Sequence, residues 1–172
     1  MKSLQINSKE VKKRINSAFA NIQLPSDEYL LHPACQDESE IEDFKGRHWQ
    51  KWQDIPQEII DYNYSSLSFL SPSALRFFLP AYMIYGLDNP NSNVLEFTVY
   101  KLIAPNDFND LELRQIFFDW VSQLSSEQKT AITLFLKYIK QQYEQEEQYI
   151  SNDANEALQN YWENCHFYDS LP

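Results

Sequence analysis

The chain has 172 residues, of which 43% are hydrophobic and 15% aromatic, and its formal net charge at pH 7 is -11. This length and apolar content fit one domain with its own core, so we expect a single domain over residues 1–172. Only two glycines, Gly46 and Gly86, are present. Glycine-rich loops that hold nucleotide phosphates are therefore excluded, because they need several glycines close together.

Cysteine content and the first residues predict a cytoplasmic protein. Two cysteines are too few for a disulfide framework, and the stretch from Met1 to Gln5 lacks the apolar core of a secretory signal. No apolar run approaches the roughly 20 residues that a membrane helix needs. We therefore expect a soluble chain without a membrane segment.

The charge is distributed unevenly along the chain. Residues 1–24 carry five basic side chains and one acidic, residues 25–63 carry ten acidic and three basic, and residues 144–172 carry seven acidic and none basic. Acidic blocks repel the phosphates of nucleic acid, so nucleic-acid binding is disfavoured. They are typical either of a solvated face or of a surface that attracts a basic partner protein.

Signals for the start of a helix recur in chain order. A cap residue is followed three residues later by Glu at five places, which are Asn7/Glu10, Asp37/Glu40, Asn93/Glu96, Asn109/Glu112 and Asp153/Glu156. Ser125 with Gln128 gives a further start. Apolar residues at helical spacing support most of these starts, and we expect residues 144–172 to form an acidic C-terminal helical segment.

The middle of the chain predicts a hydrophobic hairpin. Ser71 and Pro72 read as the cap and first residue of a helix, which Leu79-Pro80 should bend or interrupt. Residues 94–103 contain β-branched and aromatic side chains that suit a strand, but the Asn93/Glu96 start favours a helix. We therefore predict an all-α fold, a single compact multi-helix bundle with a Pro-kinked central hydrophobic hairpin.

The segment Ser-Pro-Ser-Ala-Leu-Arg-Phe-Phe-Leu-Pro-Ala-Tyr-Met, residues 71–83, resembles the signature LSP-A-x-x-(Y/F)(Y/F)-LPAYM of an uncharacterised bacterial family. The resemblance spans residues 8–140, leaves the acidic C-terminal segment outside, and includes Glu40, Phe44, Gly46, Trp49, Leu124–Gln128 and Phe135-Leu136. It implies a small, mostly helical cytoplasmic bacterial protein. It implies no activity, so no catalytic residue is carried over to this chain.

Four residues form the strongest candidate metal set, namely His32, Cys35, Cys165 and His166. Two histidines and two cysteines can bind zinc tetrahedrally, but neighbouring residues on a helix point about 100° apart, so Cys165 and His166 aim poorly at one ion. A thiol nucleophile would pair Cys35 with His48 or His166. We expect ordinary structural roles, with no metal, no cofactor and no catalytic residue.

Five acidic side chains lie within seven residues, and these are Asp37, Glu38, Glu40, Glu42 and Asp43. If Asp37 caps a helix, Ile41 and Phe44 share its apolar side and the acids mostly face outward. Such a run is suited to an interaction surface better than to acid–base catalysis.

Trp49 and Trp52 follow this acidic run. Aromatic anchors beside acids are typical of protein-binding hot spots, and they are equally typical of a core. We predict that the five acids and the two tryptophans form a partner-binding surface of an interaction module, of the immunity or antitoxin kind, which neutralises a basic partner. The alternatives are a small metal- or thiol-dependent hydrolase and a structural homodimeric subunit.

Overall fold

The computed structural model describes residues 5–106, 111–144 and 149–168, and in these ranges the regular elements are helices. One isolated antiparallel β-bridge pairs Leu31 with Leu70. The α-helices are α1 (Ser8–Ala18), α2 (Gln57–Tyr62), α3 (Pro72–Asp88), α4 (Asn93–Lys101), α5 (Leu111–Val121), α6 (Ser126–Tyr143), α7 (Tyr149–Asn160) and α8 (Cys165–Tyr168). Short 3₁₀ helices lie at Asp27–Tyr29, Glu38–Phe44, Trp52–Asp54, Ser66–Ser68 and Trp162–Asn164. The predicted all-α fold is confirmed. Across the described ranges, no helix combines the length and the apolar character that crossing a membrane requires.

Helix α3 is the centre of the bundle. It begins as the sequence predicts, since the Ser71 hydroxyl accepts from the Ala74 N–H and Pro72 takes the first helical turn, where its missing N–H is not needed. The helix continues through Pro80 instead of being interrupted there, although Pro80 cannot donate a backbone bond to the carbonyl of Arg76. The hairpin is consequently made by α3 and α4, not by two halves of α3.

The remaining helices surround α3 in a simple order. Helix α3 contacts α1, α2, α4 and α5, while α6 lies between α1 and α7, and α7 returns to α4. Residues 94–103 are therefore helical for most of their length, because Val94, Leu95, Thr98 and Val99 all face the core from α4. Their burial on one side of a helix outweighs the strand preference of β-branched residues.

The capping predictions have mixed outcomes. Asn7 caps α1 by accepting from the Glu10 N–H, and Ser125 with Gln128 forms a complete capping box at α6. Helix α4 is capped by Ser92 instead of Asn93. Asp153 lies inside α7, because that helix is already formed from Tyr149 and needs no cap there. The Asn109/Glu112 start rests on a residue outside the described ranges.

The C-terminal segment belongs to the core. Its aromatic rings Tyr161 and Trp162 meet Phe117 and Trp120 of α5 at centroid distances of 5.4 and 5.9 Å respectively. The Trp162 indole N–H donates to the Leu102 carbonyl at 2.7 Å, which fixes the segment to the end of α4. On α7 the inner face is formed by Ser151, Ala154, Ala157 and Leu158, while Glu156 is exposed and Asp153 is half-buried.

Candidate partner-binding surface

The acidic run forms the 3₁₀ helix Glu38–Phe44 instead of an α-helix. In a 3₁₀ helix, residues three apart lie on the same face, so Ile41 and Phe44 are buried together. Phe44 stacks on Phe78 of α3 with ring centroids 4.5 Å apart, which holds the helix on the bundle. Glu38 and Glu42 point to solvent as predicted, with 71% and 73% of their side chains exposed.

Most of these acids have partners within the chain. Lys45 Nζ lies 2.6 Å from a Glu38 carboxylate oxygen and 3.4 Å from one of Glu42. This contact lowers the pKa of Glu38 and raises that of Lys45. The Ser39 hydroxyl and N–H donate to Asp37 and lower the pKa of its carboxyl, and the Asn63 amide donates to Asp43 at 3.0 Å. The acidic run is therefore ordered, and its charge is partly balanced.

The two predicted tryptophans have different environments. Trp49 is half-buried, with its ring edge against Phe78 at 6.1 Å and the Arg47 guanidinium 5.8 Å from its centroid. Trp52 is only 3% exposed, and its indole N–H donates to the Phe19 carbonyl at 3.0 Å. Trp52 thus holds the end of α1 on the core, and we leave it out of the partner-binding surface as a correction to the predicted set. Glu40, on the Glu38–Phe44 helix, is half-buried.

Two surface cavities meet at Asp27 and Glu28, which line both of them. One, of about 610 Å³, also includes Gly46 and Trp49, and the other, of about 460 Å³, includes Glu38. We call the surface formed by these cavity residues Asp27, Glu28, Glu38 and Trp49, together with Glu40 and Glu42 of the same 3₁₀ helix, the acidic surface. Sequence reasoning missed Asp27 and Glu28, whose only signal is their charge within the aperiodic stretch Pro25–Pro33.

Gly46 joins the two sides of the acidic surface. Its N–H donates to the Asp27 carboxylate at 2.8 Å, and its φ of +67° is a left-handed conformation that other residues adopt only at a cost. Lys45, next to it, is the cation that holds Glu38 and Glu42. One turn of backbone therefore positions acids from two separate segments.

The four metal candidates do not converge. His32 and Cys35 lie together in the loop after Leu31, whereas Cys165 is buried at the start of α8, and Cys35 and Cys165 do not form a disulfide with each other. Over the described part of the chain, no group of three or more His, Cys, Asp or Glu side chains is placed to hold a metal ion. His32 instead organises its loop. Its imidazole Nδ1 accepts from the Ala34 N–H, and its backbone N–H donates to the Phe69 carbonyl.

The structure brings other groups near His32 and Cys35. Burial lowers the pKa of Lys101 at the end of α4, and the Cys35 thiol opposes that shift. Burial and the Lys101 charge lower the pKa of His32, while Asp119 of α5 raises it. Lys101 and Asp119 were missed because they come from helices far along the chain, and no local motif marks them.

The chain was compared with families and with individual proteins. A family model described as a family of unknown function, DUF6714, matches residues 7–166. No curated protein and no solved structure matches the chain. The match extends through most of the acidic C-terminal segment, which the predicted resemblance left outside, and the packing of Tyr161 and Trp162 in the core is consistent with that extent. The chain belongs to the DUF6714 family of unknown function.

Proposed function

We propose that this protein is an interaction module that binds a basic partner protein through the acidic surface, in the manner of an immunity protein or antitoxin. The observation that carries the proposal is the pair of cavities that share Asp27 and Glu28 and are bounded by Glu38 and Trp49. Concave surfaces with aromatic and charged borders are suited to receive side chains of a partner.

Electrostatics supports a basic partner. The chain carries a net charge of -11, and ten of its acids lie in residues 25–63, which include the acidic surface. Such a field speeds the encounter with a positively charged protein and disfavours acidic competitors. The Lys45 contacts hold Glu38 and Glu42 in place before binding, so less side-chain freedom is lost in the complex.

The proposal is tested by comparing what two variants capture from cells of the source organism. The first reverses the charge of Glu38, Glu40 and Glu42 to Lys. The matched control reverses Glu127, Glu144 and Glu163, which are exposed and lie outside the acidic surface. Captured proteins are quantified at low and high salt, and each one that depends on the acidic surface is purified and titrated against wild type and both variants.

We expect a basic protein that the wild type and the control capture and that the first variant loses. Its affinity should fall with salt, because contacts between exposed charges are screened. Equal capture by both variants, or a partner without excess positive charge, contradicts the proposal.

The cavity that holds His32 and Cys35 favours a second candidate, a thiol-dependent hydrolase. Its weakness is that His32 Nδ1 accepts from the Ala34 N–H, so the neutral imidazole carries its proton on Nε2 and has no free lone pair with which to deprotonate the thiol. If the protein is a thiol hydrolase, wild type should release p-nitrophenol from p-nitrophenyl acetate faster than the Cys35→Ser variant does. Equal rates for the two proteins remove this candidate.

A further inference from the structure

The outer side of α4 presents aromatic rings to solvent. Phe97 and Tyr100 are 38% and 65% exposed, while Val94, Thr98 and Val99 on the other side are buried. The Phe97 ring meets the edge of Tyr64 with centroids 4.9 Å apart, so it is held in one orientation. Phe97 and Tyr100 together form an exposed aromatic contact area on α4.

Three carboxylates lie on α4 and α7, and one of them, Glu96, is one helical turn before Tyr100 on α4. Glu96 lies on the outer side of α4, and Asp153 and Glu156 lie on α7, which packs against α4. Burial raises the pKa of Asp153, and the charges of Glu156 and Glu96 raise it further, so the three groups share one negative field. No ion pair among the described residues reaches any of the three, since the pairs found there use Lys12 and Lys45. Glu156 accepts from the Asn106 side-chain amide at 3.3 Å, which brings no charge to the site.

The chemistry of this face selects its occupant. A guanidinium or ammonium group binds the face of an aromatic ring and pairs with carboxylates, so both features favour the same ligand. A second copy of this chain docked by two-fold symmetry would place like charges opposite one another, and nucleic acid would be repelled. A basic protein segment satisfies both the rings and the acids.

We propose that the α4–α7 face, formed by Glu96, Phe97, Tyr100, Asp153 and Glu156, is a second binding surface that takes an arginine- or lysine-rich segment of a partner protein. The inference rests on the proposed function in taking the partner to be basic. It adds a surface built from different helices and a mode of recognition, in which cationic side chains lie against the Phe97 and Tyr100 rings.

The test titrates the full chain with a synthetic peptide of alternating arginine and glycine and follows backbone amides by NMR. We expect the largest shifts in α4 and α7. Phe97→Leu and Tyr100→Leu should each weaken binding roughly threefold to tenfold, because leucine keeps an apolar side chain but has no π face. Tyr100→Phe should bind like wild type, because the ring remains.

Charge variants separate this surface from the general negative field of the protein. Glu96→Lys/Glu156→Lys should weaken binding at least about tenfold, by removing two contacts and adding repulsion. Glu127→Lys/Glu144→Lys, which changes the net charge equally, should lose much less. Equal losses in the two double variants overturn the inference. Unchanged affinity for the peptide in Phe97→Leu and Tyr100→Leu also overturns it.

Two further outcomes distinguish the proposals. Shifts confined to residues 27–49 overturn the second surface and leave the proposed function standing. Shifts in α4 and α7 with no basic partner lost on reversal of Glu38, Glu40 and Glu42 support the second surface and contradict the proposed function. Sedimentation that shows a dimer dissociated by Phe97→Leu assigns the face to a second copy and overturns the inference.

Discussion

Arg76 on α3 and Gln128 on α6 are joined by a hydrogen bond, in which Arg76 Nε donates to Gln128 Oε1 at 3.1 Å. The same Gln128 oxygen accepts from the Ser125 N–H, and its amide nitrogen donates to the Ala18 carbonyl at the end of α1. A single side chain, 3% exposed, therefore links α1, α3 and α6. Its loss affects three helices at once.

We predict that Gln128→Ala lowers the free energy of unfolding by about 2–4 kcal/mol, because it leaves polar groups without partners and removes half of a capping box. Urea denaturation of the two proteins measures the difference. Gln123→Ala, at an exposed site after α5, is the control and should change stability by less than about 0.5 kcal/mol. A similarly small change in Gln128→Ala would show that the links among α1, α3 and α6 contribute little.

Gly86 sets how closely α4 approaches α3. A Cβ at this position would lie 2.9 Å from Leu95 Cδ1 and 3.2 Å from Leu95 Cα, so alanine requires the Leu95 side chain to turn and the α4 backbone to shift by a few tenths of an ångström. We expect Gly86→Ala to destabilise the protein by about 1–3 kcal/mol, although alanine is the better helix former by about 1 kcal/mol. Thermal unfolding of Gly86→Ala, Leu95→Ala and the double variant measures the coupling. Strictly additive losses, or a stabilised Gly86→Ala, would contradict the close contact.

The His32 imidazole reports on the charges around it. Its pKa is lowered by burial and by Lys101 and raised by Asp119. Lys101→Met should therefore raise the midpoint of the His32 NMR titration, and Asp119→Asn should lower it. Burial remains in both variants, so both midpoints stay below the ordinary value of 6.5. Shifts of the same sign in the two variants would show that these helices do not meet at His32.

The lowered pKa of His32 also has a consequence for stability. The folded protein takes up a proton on His32 less readily than the unfolded chain, so protonation costs stability. The contribution of neutral His32 to the free energy of unfolding is fully present above pH 6.5 and is lost as the pH falls through the lowered folded-state pKa. His32→Gln should remove this part of the pH dependence in urea titrations between pH 7 and 5.

Asp153 is predicted to oppose folding when it is ionised. Its pKa is raised by burial and by two neighbouring carboxylates, so the unfolded chain ionises more readily than the folded protein. Asp153→Asn should therefore be more stable than wild type at pH 7. The advantage should shrink as the pH falls through the raised pKa and disappear below 3.8, where both states are protonated. An advantage that does not change with pH would point to packing instead.

Sequence patterns located the helices well where local signals decide them. Ser71-Pro72 and Ser125/Gln128 mark their helix starts because both act through backbone groups three residues away. The Glu38–Phe44 segment is predicted as helical with the correct buried residues, but its spacing does not distinguish a 3₁₀ helix from an α-helix, nor does it show that Phe44 stacks on Phe78 of α3. A contact of that kind cannot be read from spacing alone.

The candidate surface was only partly predictable. Trp49 and Trp52 are three residues apart in an irregular segment, and without a regular period the sequence does not show that Trp49 is half-buried and Trp52 fully buried. Asp27 joins the surface through the N–H of Gly46, which lies in another segment. Such pairings become visible only when the chain is folded.

The different burial of the tryptophans gives the protein an optical reporter. Of its four tryptophans, Trp52, Trp120 and Trp162 are buried, and Trp49 alone is half-buried, at the edge of a cavity of the acidic surface. Fluorescence that soluble quenchers reach should therefore come mainly from Trp49. A partner seated on the acidic surface would shield this emission from quenching while the other three indoles keep their signal, so binding can be followed without attaching a label.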